Sequence, residues 1–141
     1  MPIVESLRLG DMAKSEPVPE AVYRVRIGKV EEKVAEPTEK NPDPYPYAEI
    51  HFVIQEPEEY LGRHVFDMCT YAPGKNFALR QLGEALGLTE DDDMLELIRS
   101  GQLVDQELQI AVSVEKARKD PRTGKQYDAR NRVTKRMPLT S

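Results

Sequence analysis

Leu108, Ile110, Val112 and Val114 alternate with Gln109, Ala111, Ser113 and Glu115, a strict period of two. Successive side chains of a strand point to opposite faces, so this run predicts a strand with one apolar and one polar side. The same period recurs at Tyr23, Val25 and Ile27 against Arg24 and Arg26. It returns at Ile50, Phe52 and Ile54 against Tyr47, Glu49 and His51, over about 47–55. Gly28, inside the first run, marks a bulge or a bend. A third strand is expected over about 63–71, where both alternating sets contain apolar residues and leave its facing open. A fifth is expected near 127–136. So much two-residue periodicity commits the chain to a sheet.

The interruptions set the order of these strands. Residues 36–46 hold Pro37, Pro42, Pro44 and Pro46, which cannot sit in a central strand, so they form a long stiffened loop. Residues 56–62 form a turn, and Pro73-Gly74 ends the third strand. Phe77, Ala78, Leu82, Ala85 and Leu86 then recur every three or four residues, predicting a helix that ends near Gly87. A second helix is expected over about 90–100, opened by Thr89 and Asp92 in capping-box spacing and followed by Gly101. A turn over 120–124 joins the last two strands. Residues 1–20 read as a leader with little regular structure, and 21–138 as one domain. The expected fold is mainly β with a helical insert: a five-stranded OB-fold-like barrel of strands 1–3, helices, then strands 4–5. An α+β sandwich with one helical layer is the alternative.

Several functions are excluded or disfavoured. No apolar run reaches the roughly 18–20 residues that cross a bilayer, so no membrane partner is expected. Glu5, Asp11, Glu16 and Glu20 in the first twenty residues leave no secretory h-region, and a cytoplasmic setting is expected. The lone Cys69 can form no internal disulfide and no multi-thiolate metal site. His51, His64 and Cys69 lack metal-ligand spacing. The acidic run Glu90–Asp93 sits where a helix start favours acids. There is no phosphate-cradling loop, dinucleotide fingerprint or nucleophile elbow. The chain is expected to be no enzyme and to carry no cofactor or metal.

The net charge of −5 conceals an asymmetry. Residues 1–115 hold 11 Lys/Arg against 23 Asp/Glu, whereas residues 116–141 hold 9 against 2. Lys116, Arg118 and Lys119 close the fourth strand, Arg122 and Lys125 occupy the turn, and Arg130, Arg132 and Arg136 share one alternation of the fifth. Cations held this close repel one another, and a phosphate backbone would neutralise them with release of counterions. A solvated hairpin is the plainer reading of the same charges. Tyr127 beside the cluster, Tyr45 and Tyr47 on the stiff loop, and outward His51 offer rings for base stacking. Arg24 and Arg26 extend the same surface. In OB-folds oligonucleotides cross strands 2 and 3 between the first loop and the last hairpin, the positions held here by the tyrosines and the basic residues.

Several stretches then occur in an order that resembles a known family. They are Pro19-Glu20-Ala21-Val22-Tyr23-Arg24-Val25, Leu61-Gly62-Arg63-His64-Val65-Phe66-Asp67 and Leu82-Gly83-Glu84-Ala85-Leu86-Gly87. Val112-Ser113-Val114-Glu115-Lys116, Arg130-Asn131-Arg132-Val133 and Pro138 complete the set. Together they resemble uncharacterised bacteriophage proteins similar to OB-fold single-stranded-DNA-binding proteins of phage replication and recombination modules. The chain departs from that pattern at Ala21 and at Asp105-Gln106, where the family places glycine. It ends Arg136-Met137-Pro138-Leu139-Thr140-Ser141, without the acidic tip through which bacterial relatives recruit partners.

The resemblance implies a phage protein that coats single-stranded DNA, or RNA, with little sequence preference. Phage replication proteins or a second copy of the chain are further expected partners. The rival expectation is a protein-interaction module or phage assembly protein whose basic hairpin docks an acidic surface.

Overall fold

The computed structural model describes residues 16–119, 121–124 and 126–139. The expected leader before residue 16, and the expected contribution of Lys125, lie outside these residues. Strand β1 spans Ala21–Val34, β2 Pro46–Glu56 and β3 His64–Thr70, with one 3-10 turn at Glu58–Tyr60. Helices α1 (Phe77–Ala85) and α2 (Met94–Ser100) follow. Then come β4 (Glu107–Glu115), the two-residue strands β5 (Arg118–Lys119) and β6 (Gln126–Tyr127), and β7 (Arg130–Met137).

Five strands form one antiparallel sheet in the order β3-β2-β1-β4-β7, while β5 and β6 pair apart from it as a hairpin. A closed barrel would require β3 and β7 to hydrogen-bond to each other. They do not pair: they are the two edges of an open sheet. The expectation of a closed OB-type barrel is therefore corrected. The mainly β composition, the helical insert between β3 and β4, and the five main strands stand as found.

β1 is longer than its alternation suggested. Past Gly28 it continues along β2, in register from Lys29↔His51 to Val34↔Pro46, while β2 pairs with β3 on its other side. Pro46 is tolerated because it is the first residue of its strand. The ladder slips between Ile27 and Lys29, so Gly28 is a bulge. A Cβ at Gly28 would lie 2.9 Å from Val53 Cγ2, which explains why no side chain occupies this position.

The inward alternation of β1, β2 and β4 supplies the core. Tyr23, Val25, Ile27, Ile50, Phe52, Ile54, Leu108 and Ile110 are all buried. Leu79 and Leu82 of α1, Ile98 of α2 and Leu103 close over it. α2 begins four residues later than the sequence suggested. Asp93 caps it by accepting from the Leu95 and Glu96 N–H groups, and Gly101 ends it in the left-handed conformation. Asp92 instead accepts from the Thr89 N–H, closing the preceding turn at 2.7 Å. Val18 is buried too, and its backbone exchanges two hydrogen bonds with the Asn131 side chain of β7, at 2.9 and 2.8 Å. Where the resemblance places a glycine before β4, Asp105 holds a φ of +71°, which Asp tolerates better than most residues. Among the described residues no helix is long and apolar enough to cross a membrane.

Candidate nucleic-acid interface

The facing of β3, open in the sequence, is settled by a buried carboxylate. Val65, Asp67 and Cys69 point inward, and His64, Phe66 and Met68 point out. Asp67 is tolerated inside because Arg136 reaches it from the other sheet edge. Arg136 Nε donates to Asp67 Oδ2 and Nη2 to Oδ1, each at 2.7 Å, with both side chains buried. Gln81 of α1 accepts from the Arg136 backbone N–H at 2.8 Å and from Nη1 at 3.2 Å. A charged pair taken out of water needs such geometry and extra hydrogen bonds to offset its desolvation.

Arg136 was expected on one face with Arg130 and Arg132. The register explains why it is not there. Val112 pairs with Val133 but Ala111 with Lys135, leaving Thr134 as an extra residue. One inserted residue inverts the alternation beyond it. Arg130 and Arg132 remain exposed, and Arg136 turns inside.

Between β3 and β7 lies a cleft of about 1390 Å³. One wall carries Phe66 and Met68, with Phe77 at the start of α1 beside them. These large apolar side chains are 53%, 64% and 73% exposed. The spacing counts Phe77 with the apolar face of its helix, but in the first turn it points away from the core. Four cations line the cleft as well, Arg63 and Lys75 next to β3 and α1 and Arg130 and Arg132 on β7, together with the carboxylates of Glu16, Glu49 and Glu115. Arg63 donates to the Glu16 carbonyl. Arg130 and Arg132 both lean on Glu115, at 2.8 and 3.3 Å. Those two guanidinium groups pull the Glu115 carboxyl below its ordinary range, the hydrogen bond from Arg130 contributing most. Around Phe66 the rings continue: His51 meets it edge-on at 4.7 Å and His64 lies tilted at 6.4 Å.

The sequence-predicted residues divide into those at the cleft and those elsewhere. Arg130, Arg132 and Arg136 line it, the last through its buried pair. His51 borders it through Phe66. Arg24 and Arg26 face outward on β1 but are held by Glu56, Glu107 and Asp105 and do not line the cleft. Tyr45 is exposed before β2, and Tyr47 is half-buried opposite Lys33. Neither lines the cleft. Lys116, Arg118, Lys119 and Arg122 are exposed between the end of β4 and the hairpin turn, away from the cleft lining. Tyr127 has a described backbone, paired with Arg118, but its side chain is outside the described residues. The sequence pattern does not single out Phe66, Met68, Phe77, Arg63 and Lys75, which the fold brings to the cleft. The signal available was the apolar residue in each alternating set of β3, which meant that one set had to be exposed.

No protein-family model and no curated protein matches the chain. Among solved structures it is similar to a chain of yeast RPA bound to ssDNA, at 12% sequence identity and a TM-score of 0.42. That match covers 100% of this chain and 92% of the RPA chain.

Proposed function

We propose that the chain binds single-stranded nucleic acid, DNA in the first instance, along the cleft between β3 and β7. The observation that carries this reading is one groove lined by three exposed large apolar side chains, Phe66, Met68 and Phe77, and by four cations contributed from both of its edges. Keeping Phe66, Met68 and Phe77 in water costs hydrophobic free energy, and a contiguous exposed patch of this kind marks an interaction surface. Unpaired bases present π-faces to such rings, at about 1–3 kcal/mol per stacked base. Their phosphates meet Arg63, Lys75, Arg130 and Arg132 and release counterions. A duplex hides its base faces, so the apolar wall contributes only to binding of single strands. The net negative charge of the remaining chain repels nucleic acid elsewhere and confines it to the groove.

No group in this reading performs a reaction, and the role is that of a non-enzymatic coat or carrier. The sequence resemblance supplies its setting, bacteriophage replication or recombination. Fluorescence anisotropy of a labelled oligo-dT at several salt concentrations tests the proposal. Saturable binding at low salt that weakens steeply with salt supports it. Absence of binding at low salt, or tighter binding of duplex than of single strand, overturns it.

A further inference from the structure

The outer face of β1 and β2 carries a further cluster, made of Glu31, Glu49 and His51, which adjoins the cleft: Glu49 lines it and His51 packs against Phe66. Glu31 and Glu49 are directly opposed in the ladder. Like charges facing each other across strands destabilise a ribbon unless a cation lies between them. His51 follows Glu49 by two residues and shares its face, with Nε2 2.9 Å from Glu49 Oε1. One ligand atom from each of the three side chains lies within 4.8 Å of the other two, and all three residues are half-buried. No other such triad of His, Cys, Asp or Glu occurs among the described residues.

At present lysine supplies the cation. Lys33 Nζ lies 3.2 Å from both oxygens of Glu49 and 3.4 Å from Glu31, and Lys29 also pairs with Glu31. The Glu31 carboxyl is held below its ordinary range, by its hydrogen bond from Lys29 above all. Lys29 is largely in solvent and Lys33 partly so, 62% and 41% exposed, both on flexible stems that can withdraw into water.

We propose that Glu31, Glu49 and His51 form a binding site for a divalent transition-metal ion, zinc or cobalt in class, which takes the position now held by the Lys33 ammonium. Two carboxylate oxygens and one imidazole nitrogen are a donor set that suits such ions, and the remaining coordination positions stay open to water. A dication supplies at one point the charge that the Lys29 and Lys33 ammonium groups now share between the two carboxylates. Both lysines then return to solvent. The spacing of His51, His64 and Cys69 could not disclose this site, because its third ligand comes from the neighbouring strand.

The test is titration of the full chain with Zn²⁺ by calorimetry and with Co²⁺ by visible absorption, in parallel with variants checked for folding by circular dichroism. The expected result is saturable 1:1 binding, with a Co²⁺ spectrum of mixed nitrogen and oxygen ligation. H51A and E49Q should each weaken it by about tenfold or more. K33M, which removes the competing ammonium and no ligand, should tighten it. Absence of saturable 1:1 binding overturns the proposal. So does binding that survives both H51A and E49Q, or that is lost in H64A instead. A K33M variant that binds no tighter overturns the displacement. Oligonucleotide affinity enters none of these readouts, so the outcome is separate from that of the proposed function.

Discussion

Arg136 and Asp67 belong to strands at opposite ends of the sheet order, yet their side chains meet in two hydrogen bonds of 2.7 Å. The backbone leaves β3 and β7 unpaired, and this side-chain clamp, with Gln81 of α1, joins the two edges beneath the cleft. Removing either charge strands the other in the interior. D67N or R136M should therefore cost about 3–5 kcal/mol of stability by urea denaturation. The joint replacement D67L/R136M should recover much of that loss, because no unpaired charge remains.

The apolar wall gives a prediction of the opposite kind. Phe66 and Phe77 are more than half exposed, so F66A and F77A should leave the melting temperature nearly unchanged. Each should weaken oligo-dT binding by about 1–3 kcal/mol, the worth of one stacked base. Tyr45, which lies outside the cleft lining, should be replaceable by alanine with little loss of affinity. Equal losses for Y45A and F66A would move the interface away from the cleft.

Glu115 competes with any phosphate for Arg130 and Arg132. E115Q should strengthen binding and leave the two guanidinium groups available to the ligand. Four phosphate contacts, from Arg63, Lys75, Arg130 and Arg132, predict a log–log salt slope of about −3 for a single strand. K75A should reduce the magnitude of that slope by about 0.7, one contact's share. Anisotropy titrations across salt measure both effects.

Cys69 lies beside the clamp and is fully buried. Burial, and then the Asp67 carboxylate next to it, push its thiol well above the ordinary value of 9.0. The unfolded chain releases this proton near that value while the folded chain keeps it. The thiol's contribution to stability is therefore fully present below about pH 9 and is lost as pH rises above it. The loss approaches about 1.4 kcal/mol per pH unit, the slope of one proton. Denaturation between pH 8 and 11 should show a steeper decline for the natural chain than for C69A. Iodoacetamide should leave the folded protein unmodified at pH 8.

The strands that face water on one side and core on the other were legible, as in β4 from Leu108 to Val112, because burial there follows polarity; only at the end of the strand does the pattern fail, where Val114 is exposed. β3 was not legible. Asp67 is a charged residue inside and Phe66 and Met68 are apolar residues outside, so polarity misreports both faces. The partner that stabilises Asp67 lies 69 residues away, beyond the reach of any local pattern. The same long-range pairing kept the cleft out of view. The basic segment at the end of the chain was visible as charge, but its register was not, because the extra residue at Thr134 leaves no mark in the hydropathy. That the sheet stays open between β3 and β7 was likewise invisible: strand order can be guessed from connections, whereas edge pairing depends on how far the sheet curls.

Thr134 also sets how this strand can tolerate change in length. Deleting it would leave Lys135 opposite Ala111 and Arg136 opposite Ile110 in an unbroken ladder, so the clamp would keep its place. Keeping it but drawing it into the ladder opposite Ala111 would carry Lys135 to the inner side opposite Ile110, an ammonium in place of a planar fork, and turn Arg136 outward beside Gln109. A slip that alters no residue at all would thus exchange a clamp for a surface residue. The register of β7, as much as its composition, decides which of its guanidinium groups holds the fold and which can meet a ligand.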